Sequence, residues 1–139
     1  MNRIHAIFLL TMASVAATGA IAQQPTLKAN IPFDFTVGNT LLPAGEYTIT
    51  SPMREVIVLR TAGHSASVVS TENYAESKSG SELVFDKYGE QYFLHEVLCP
   101  KVASMNLEVA PSKAEKSARQ HTIAAKLPNS GEQIIVAAR

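Results

Sequence analysis

The side chains of this 139-residue chain that could do chemistry are few, and their spacing limits what they can do. One cysteine, Cys99, follows His95 by four positions in "HEVLCP". A thiol beside an imidazole is the pairing of a nucleophilic site. In a strand, however, residues four apart share a face but stand about 13 Å from each other. At that separation the two could not pass a proton directly. The competing reading makes Cys99 a packed interior group, where free cysteine is commonly found; a crosslink to a second chain is the remaining option. No G-x-S-x-G elbow occurs.

His64, His95 and His121 are distant in sequence and form neither H-x-H nor H-E-x-x-H. His95 and Glu96 are adjacent, but a regular strand sends neighbours to opposite faces. Asp34, Asp86 and the glutamates fall on polar strand faces, as solvated acids do. Glycoside hydrolysis would need two acids about 5–9 Å apart. A calcium loop would need a dense Asp/Asn/Gly run, and a phosphate site a glycine-rich loop; neither is present. These readings yield no catalytic residue, no metal site and no cofactor.

Aromatic side chains offer a different chemistry. Tyr74, Tyr88 and Tyr92 are candidates for a contact patch, since Tyr88 and Tyr92 flank Gly89 at an expected hairpin tip. Such a patch would suit a glycan, a peptide or a lipid. Alternatively, Phe93 and one of the tyrosines fill the core. The lack of tryptophan disfavours a carbohydrate-stacking platform.

The elements that would position these residues begin after residue 22. "MNRIH" carries one basic residue, Arg3, and the uncharged apolar run "AIFLLTMASVAATGA" follows. Ala20-Ile21-Ala22 then supplies an A-x-A exit, so residues 1–22 read as a secretory signal peptide. The apolar run is shorter than the roughly 20 residues that span a bilayer. No cysteine at the cleavage site argues for a lipid anchor. A mature chain from Gln23 to Arg139 suits one domain. With Arg3 removed, 11 basic face 12 acidic side chains. That balance gives no electrostatic reason to expect nucleic acid.

The period of the mature chain is two. In "LKANIPFDFTV", Leu27, Ala29, Ile31, Phe33, Phe35 and Val37 are apolar and polar residues alternate with them, apart from Pro32. This predicts one half-buried strand, placed at a sheet edge or bulged because Pro32 has no amide hydrogen. "VGNT" predicts a tight reversal. Leu42-Pro43-Ala44-Gly45 fits a type I turn into "EYTIT". "LPAGE" also looks like a sortase sorting signal, but its fourth residue is glycine, it lies mid-chain, and no apolar stop with a basic tail follows. "EVIVLR" after a turn at "SPM", "ASVVST" after "TAGH", and "EQIIVAA" after "PNSG" read as further strands. "ENYAESKSGS" reads as an exposed loop, and "ELVFDKYGEQYFLHEVLCP" as a hairpin about Gly89. Only "PSKAEKSARQ" reads as a helix. Ser112 and Glu115 form an S-x-x-E capping box, and Ala114 with Ala118 gives a small apolar face. The helix would end near Gln120, with "HTIAAKL" becoming a strand, or run on toward Leu127, ahead of Pro128.

Taken together, "IPFDFTVGNTLLPAGEYTI", "LVFDKYGEQYFLHEV" and "SKAEKSA" resemble a group of uncharacterised small secreted bacterial proteins with a PFDFxVGxxxLPAGxYxI pattern. The resemblance covers most of the mature chain. It implies export and a β-rich fold and lends no activity.

The expected architecture is all-β: an antiparallel sandwich or barrel of about seven strands, with one short helix before the last strand. The expected function is that of a secreted, periplasmic or cell-surface, non-enzymatic binding or envelope-associated module. Its partner would be a protein, a glycan or a small lipophilic ligand, with no nucleic acid and no membrane span. A barrel carrying a small lipophilic ligand is the alternative, followed by an enzyme whose site the fold assembles.

Overall fold

The computed structural model describes residues 23–77, 79–102, 105–128 and 131–139. The signal peptide read over residues 1–22 and part of the "PNSG" turn lie outside the described residues. The chain forms strands β1 (Thr26–Ile31), β2 (Phe35–Val37), β3 (Thr40–Leu42), β4 (Gly45–Met53), β5 (Val56–Thr61), β6 (His64–Val69), β7 (Thr71–Glu72), β8 (Glu82–Tyr88), β9 (Gln91–Leu98) and β10 (Leu107–Glu108). Helix α1 (Lys113–Ala124) and strand β11 (Glu132–Ala137) complete it. Among the described residues the fold is mostly β, with one helix before the last strand.

Two ladders carry the strands, in the orders β1-β4-β5-β6 and β11-β8-β9-β10-β7. They join at one place, where Lys28 and Arg139 exchange backbone hydrogen bonds of 2.7 and 2.9 Å beside an Ala29–Ala138 bridge. The result is one open sheet folded over on itself. It is mixed rather than purely antiparallel, because Thr36 of β2 bridges Phe93 of β9 in parallel. It does not close into a barrel. Beyond Ala29 no further pairing joins β1 to β11, and β1 leaves its own ladder after Ile31, ahead of Pro32, which has no amide hydrogen.

That exit corrects the single strand expected over residues 27–37. The alternation persists, with Leu27, Ala29, Ile31, Phe35 and Val37 all buried. The chain nevertheless breaks at Pro32–Asp34 and passes from one ladder to the other. The strand count rises from about seven because this break gives two strands in place of one and because the short strands β3, β7 and β10 add to it.

The inward side chains of both ladders make one core. Phe35 lies between them, with ring centroids 5.1 Å from Tyr47 and 5.3 Å from Phe85, both edge-on. Tyr47, Ile49, Leu59, Phe85, Leu94 and Leu107 are fully buried around it. Each such side chain is worth roughly 1.5–3 kcal/mol of transfer free energy.

The turns follow local chemistry. Gly38, at φ +60°, closes the two-residue β2–β3 loop. Between β4 and β5 the reversal falls at Arg54–Glu55, because "SPM" belongs to β4. At "LPAG" the corner is held by side chains. The Ala44 amide donates to Asp34 Oδ1 at 2.8 Å, and the Tyr47 hydroxyl donates to the Pro43 carbonyl at 2.6 Å.

Candidate functional site

The chemistry-bearing residues that the fold brings together lie between β8, β9 and α1, on the side of the sheet away from the main core. The register of β8 with β9 shifts between Val84 and Phe85: Phe85 faces Leu94, but Val84 faces Glu96, leaving His95 as an extra residue. A β-bulge of this kind places two successive residues opposite one. Leu94 and Val97 remain in the core on either side, and His95 and Glu96 come out together. Their side chains approach to 3.5 Å, Nε2 to Oε1. The expectation that a strand separates these neighbours fails here because the strand is not regular at this point.

His95 therefore sits among acids. Its Nδ1 lies 3.4 Å from Asp86 Oδ2 and has no hydrogen-bond partner. Its Nε2 also lies 3.9 Å from Glu108 Oε1. Glu96 and Glu108 are directly opposed on β9 and β10, a like-charge pairing that costs stability by itself. The imidazole stands between them and, when protonated, offsets that repulsion. The bulge carbonyl is not wasted: the Val109 amide donates to the His95 oxygen at 2.7 Å.

Glu115 closes the cluster from above. Ser112 caps α1 as expected, its hydroxyl accepting from the Glu115 amide at 3.1 Å. The Glu115 side chain turns down onto the sheet, where it is 4% exposed and has Asp86 as a neighbour. Burial, and then the neighbouring Asp86 carboxylate, push its pKa up to about 7, against smaller downward pulls from His95 and Arg119. Tyr88 is raised too, first by burial and then by Asp86 and Glu115. The acids were expected to be solvated; Glu115 is instead buried, and Asp86 is half-buried.

The face that α1 buries is accordingly Glu115, Ala118 and Thr122, not the expected Ala114–Ala118 stripe, and Ala114 is exposed. A signal for it existed in the sequence: Glu115, Ala118 and Thr122 fall at i, i+3 and i+7 on one helix face. The helix runs to Ala124 and ends in a Schellman motif. Lys126, at φ +51°, donates to the Ile123 carbonyl, and Leu127 donates to Thr122, each at 3.1 Å.

The aromatic candidates occupy three settings. Tyr88 is buried against Phe93, centroids 6.0 Å apart, and beside Ala118 under the helix. Tyr92 is on the core side, stacked on Phe33 at 3.9 Å. Tyr74 is 88% exposed and lines a groove with Asn73, Glu76, Pro100 and Asn106. The structure does not gather them into one patch. Cys99 is buried, with the Ser81 hydroxyl 3.5 Å from its sulfur. Among the described residues, no group of three or more His, Cys, Asp or Glu side chains is arranged to hold a metal ion. No helix among them is long and apolar enough to cross a membrane.

A second feature is chemical rather than catalytic. The Ala138 amide donates to Ser81 at 2.8 Å, toward β8, and Arg139 faces β1. Backbone groups alternate along a strand, so Gln133, Ile135 and Ala137 point their N–H and C=O groups away from β8. β11 stands at the end of its ladder. Where β1 leaves it, a groove of about 500 Å³ opens, lined by Lys28, Asn30, Glu46, Val136, Ala137 and Arg139. Ile135, beside it on β11, is 61% exposed.

No protein-family model, curated protein or solved structure matches the chain.

Proposed function

We propose that the chain is an exported, non-catalytic binding module of the cell envelope, periplasmic or at the cell surface, which takes an extended segment of a partner protein along β11. The observation that carries this reading is the free edge of β11. Three residues of backbone donors and acceptors, at Gln133, Ile135 and Ala137, match a ligand that offers the same alternation, and an extended polypeptide does so. Edges left open are ordinarily blunted by charge, proline or a bulge, and "QIIVAA" has none of these. We read the folded-over sheet as a two-layer sandwich that displays this edge.

Other considerations agree. The leader over residues 1–22 and the resemblance to secreted proteins favour export. The groups that could act as nucleophile or acid, Cys99 and Glu115, are buried, which disfavours an enzyme. The carrier reading required an internal chamber, whereas Tyr47, Phe35 and Phe85 occupy the space between the ladders.

The test places a photo-crosslinking amino acid at Ile135 in the full chain, expressed with its leader in a Gram-negative host. The expected result is a mature N-terminus at Gln23 and a crosslink to a second protein species. Ile135→Pro should abolish binding by the crosslinked partner while the fold survives, because the lost amide points away from β8. Crosslinking only to another copy of the chain would replace the partner with a homodimer. Binding to purified cell-wall sacculi or lipid vesicles, unaffected by Ile135→Pro, would overturn the reading.

A further inference from the structure

We propose that the segment taken beside β11 is the free carboxyl end of a partner chain, seated in the notch between β1 and β11 with its terminal carboxylate at Lys28 and Arg139. This rests on the reading of β11 as an edge for extended polypeptide, and adds which segment enters and which way it runs.

The notch is closed at one end. Lys28 and Arg139 exchange backbone hydrogen bonds, and the next residues, Ala29 and Ala138, form the last bridge. One step further out Asn30 and Ala137 fall opposite each other, and no bond joins them. Backbone direction alternates along a strand. Asn30, like Lys28, therefore turns its N–H and C=O toward β11, while Ala137, Ile135 and Gln133 turn theirs toward β1. The next position of that series on the β1 side is Pro32, which has no N–H. A strand lying in the gap would bond alternately to both walls, to Asn30 on one side and to Ile135 and Ala137 on the other. The Lys28–Arg139 bonds bar its way through, so the segment that fits is a chain end.

The side chains at the closed end select which end. Leu27, Ala29 and Ile31 are buried, so Lys28 lies on the outer face. Lys28 and Arg139 are directly opposed, which sets their side chains next to each other on that face, and both are exposed. Among the described residues no carboxylate pairs with either. Like charges directly opposed in a ladder destabilise it, and an anion placed at the pair offsets that cost. Glu46 lines the groove one step further out, opposite Asn30, and makes no ion pair with them. A terminal carboxylate is the anion that an extended chain carries at its end, whereas an amino end would bring a third cation. The tail thus runs parallel to β11 and antiparallel to β1.

The test displays short peptides with randomised final residues and a free carboxyl end and selects them on the mature chain, residues 23–139. The most enriched peptide is resynthesised with a fluorescent label, as the free acid and as the C-terminal amide. The acid should bind about tenfold more tightly than the amide, because the amide lacks the charge that Lys28 and Arg139 meet. Lys28→Gln combined with Arg139→Gln should bring the acid down to the level of the amide, and both changes fall on exposed side chains. Asn30→Pro should weaken acid and amide alike, since the N–H it removes faces the notch rather than β4. Equal binding of acid and amide, or an acid indifferent to the double substitution, would overturn the inference; the β11 edge would still stand if Ile135→Pro abolished that binding. Selection of the same peptides by a chain carrying Ile135→Pro would overturn both.

Discussion

The Tyr47 hydroxyl donates to the Pro43 carbonyl across 2.6 Å, tying the first inward residue of β4 to the corner that precedes it. The tyrosine ring is fully buried between Phe35 and the rest of the core, so one side chain serves both packing and turn. Tyr47→Phe keeps the ring and loses the bond, and should cost about 1 kcal/mol in urea unfolding. Burial, and then Asp34, raise the Tyr47 pKa above its ordinary 10. The native chain thus holds this proton more tightly than the unfolded chain. Its contribution is present below pH 10 and is lost as pH climbs beyond, a loss that Tyr47→Phe should reduce.

Burial of Glu115 under the helix has a consequence for stability. The folded pKa of Glu115, about 7, lies above its ordinary 4.5. Its contribution is therefore full below about pH 4.5 and falls as pH rises from there through 7. The shift corresponds to a loss on the order of 3 kcal/mol. Glu115→Gln should remove that slope, making the variant the more stable protein at pH 8 by urea titration.

His95 pulls the Glu115 pKa downward. His95→Gln should therefore move the Glu115 midpoint upward, as followed by carboxyl carbon NMR.

At the other end of α1, Lys126 holds a left-handed conformation, φ +51°, that glycine adopts without penalty. Lys126→Gly should raise the melting stability by about 1 kcal/mol. At the opposite end, Ser112→Ala should lower it by a similar amount, about 1 kcal/mol, by removing the cap on the Glu115 amide.

Cys99 is sealed in the core at 3% exposure. A thiol reagent should modify it more than about 100-fold more slowly in the native chain than in urea, because reaction waits on opening of the fold. Fast modification of the native chain would instead mark an accessible nucleophile.

Much of the architecture could be read from residue order. Alternation from Leu27 to Val37 marks the buried face, "VGNT" and "DKYGEQ" mark reversals, and Ser112 marks the helix start, because each is set by chain geometry within a few residues. The site was harder to read. Glu115 fits a capping box by sequence, and nothing local tells whether its carboxyl caps the helix or faces another acid. His95 and Glu96 lie apart in any regular strand, and only the register between β8 and β9 creates the bulge that joins them.

What the sequence by itself determined is the two-residue period, the reversals at Gly38 and Gly89 and the helix start at Ser112, since these depend on side-chain direction and backbone freedom close along the chain. The tertiary structure alone decided that the sheet stays open where β1 parts from β11 beyond Ala29. It alone decided that Asp86, His95 and Glu115, 29 residues apart from first to last, meet beneath α1. Such meetings depend on strand register and on which helix face turns inward, and those are settled by packing across the whole molecule.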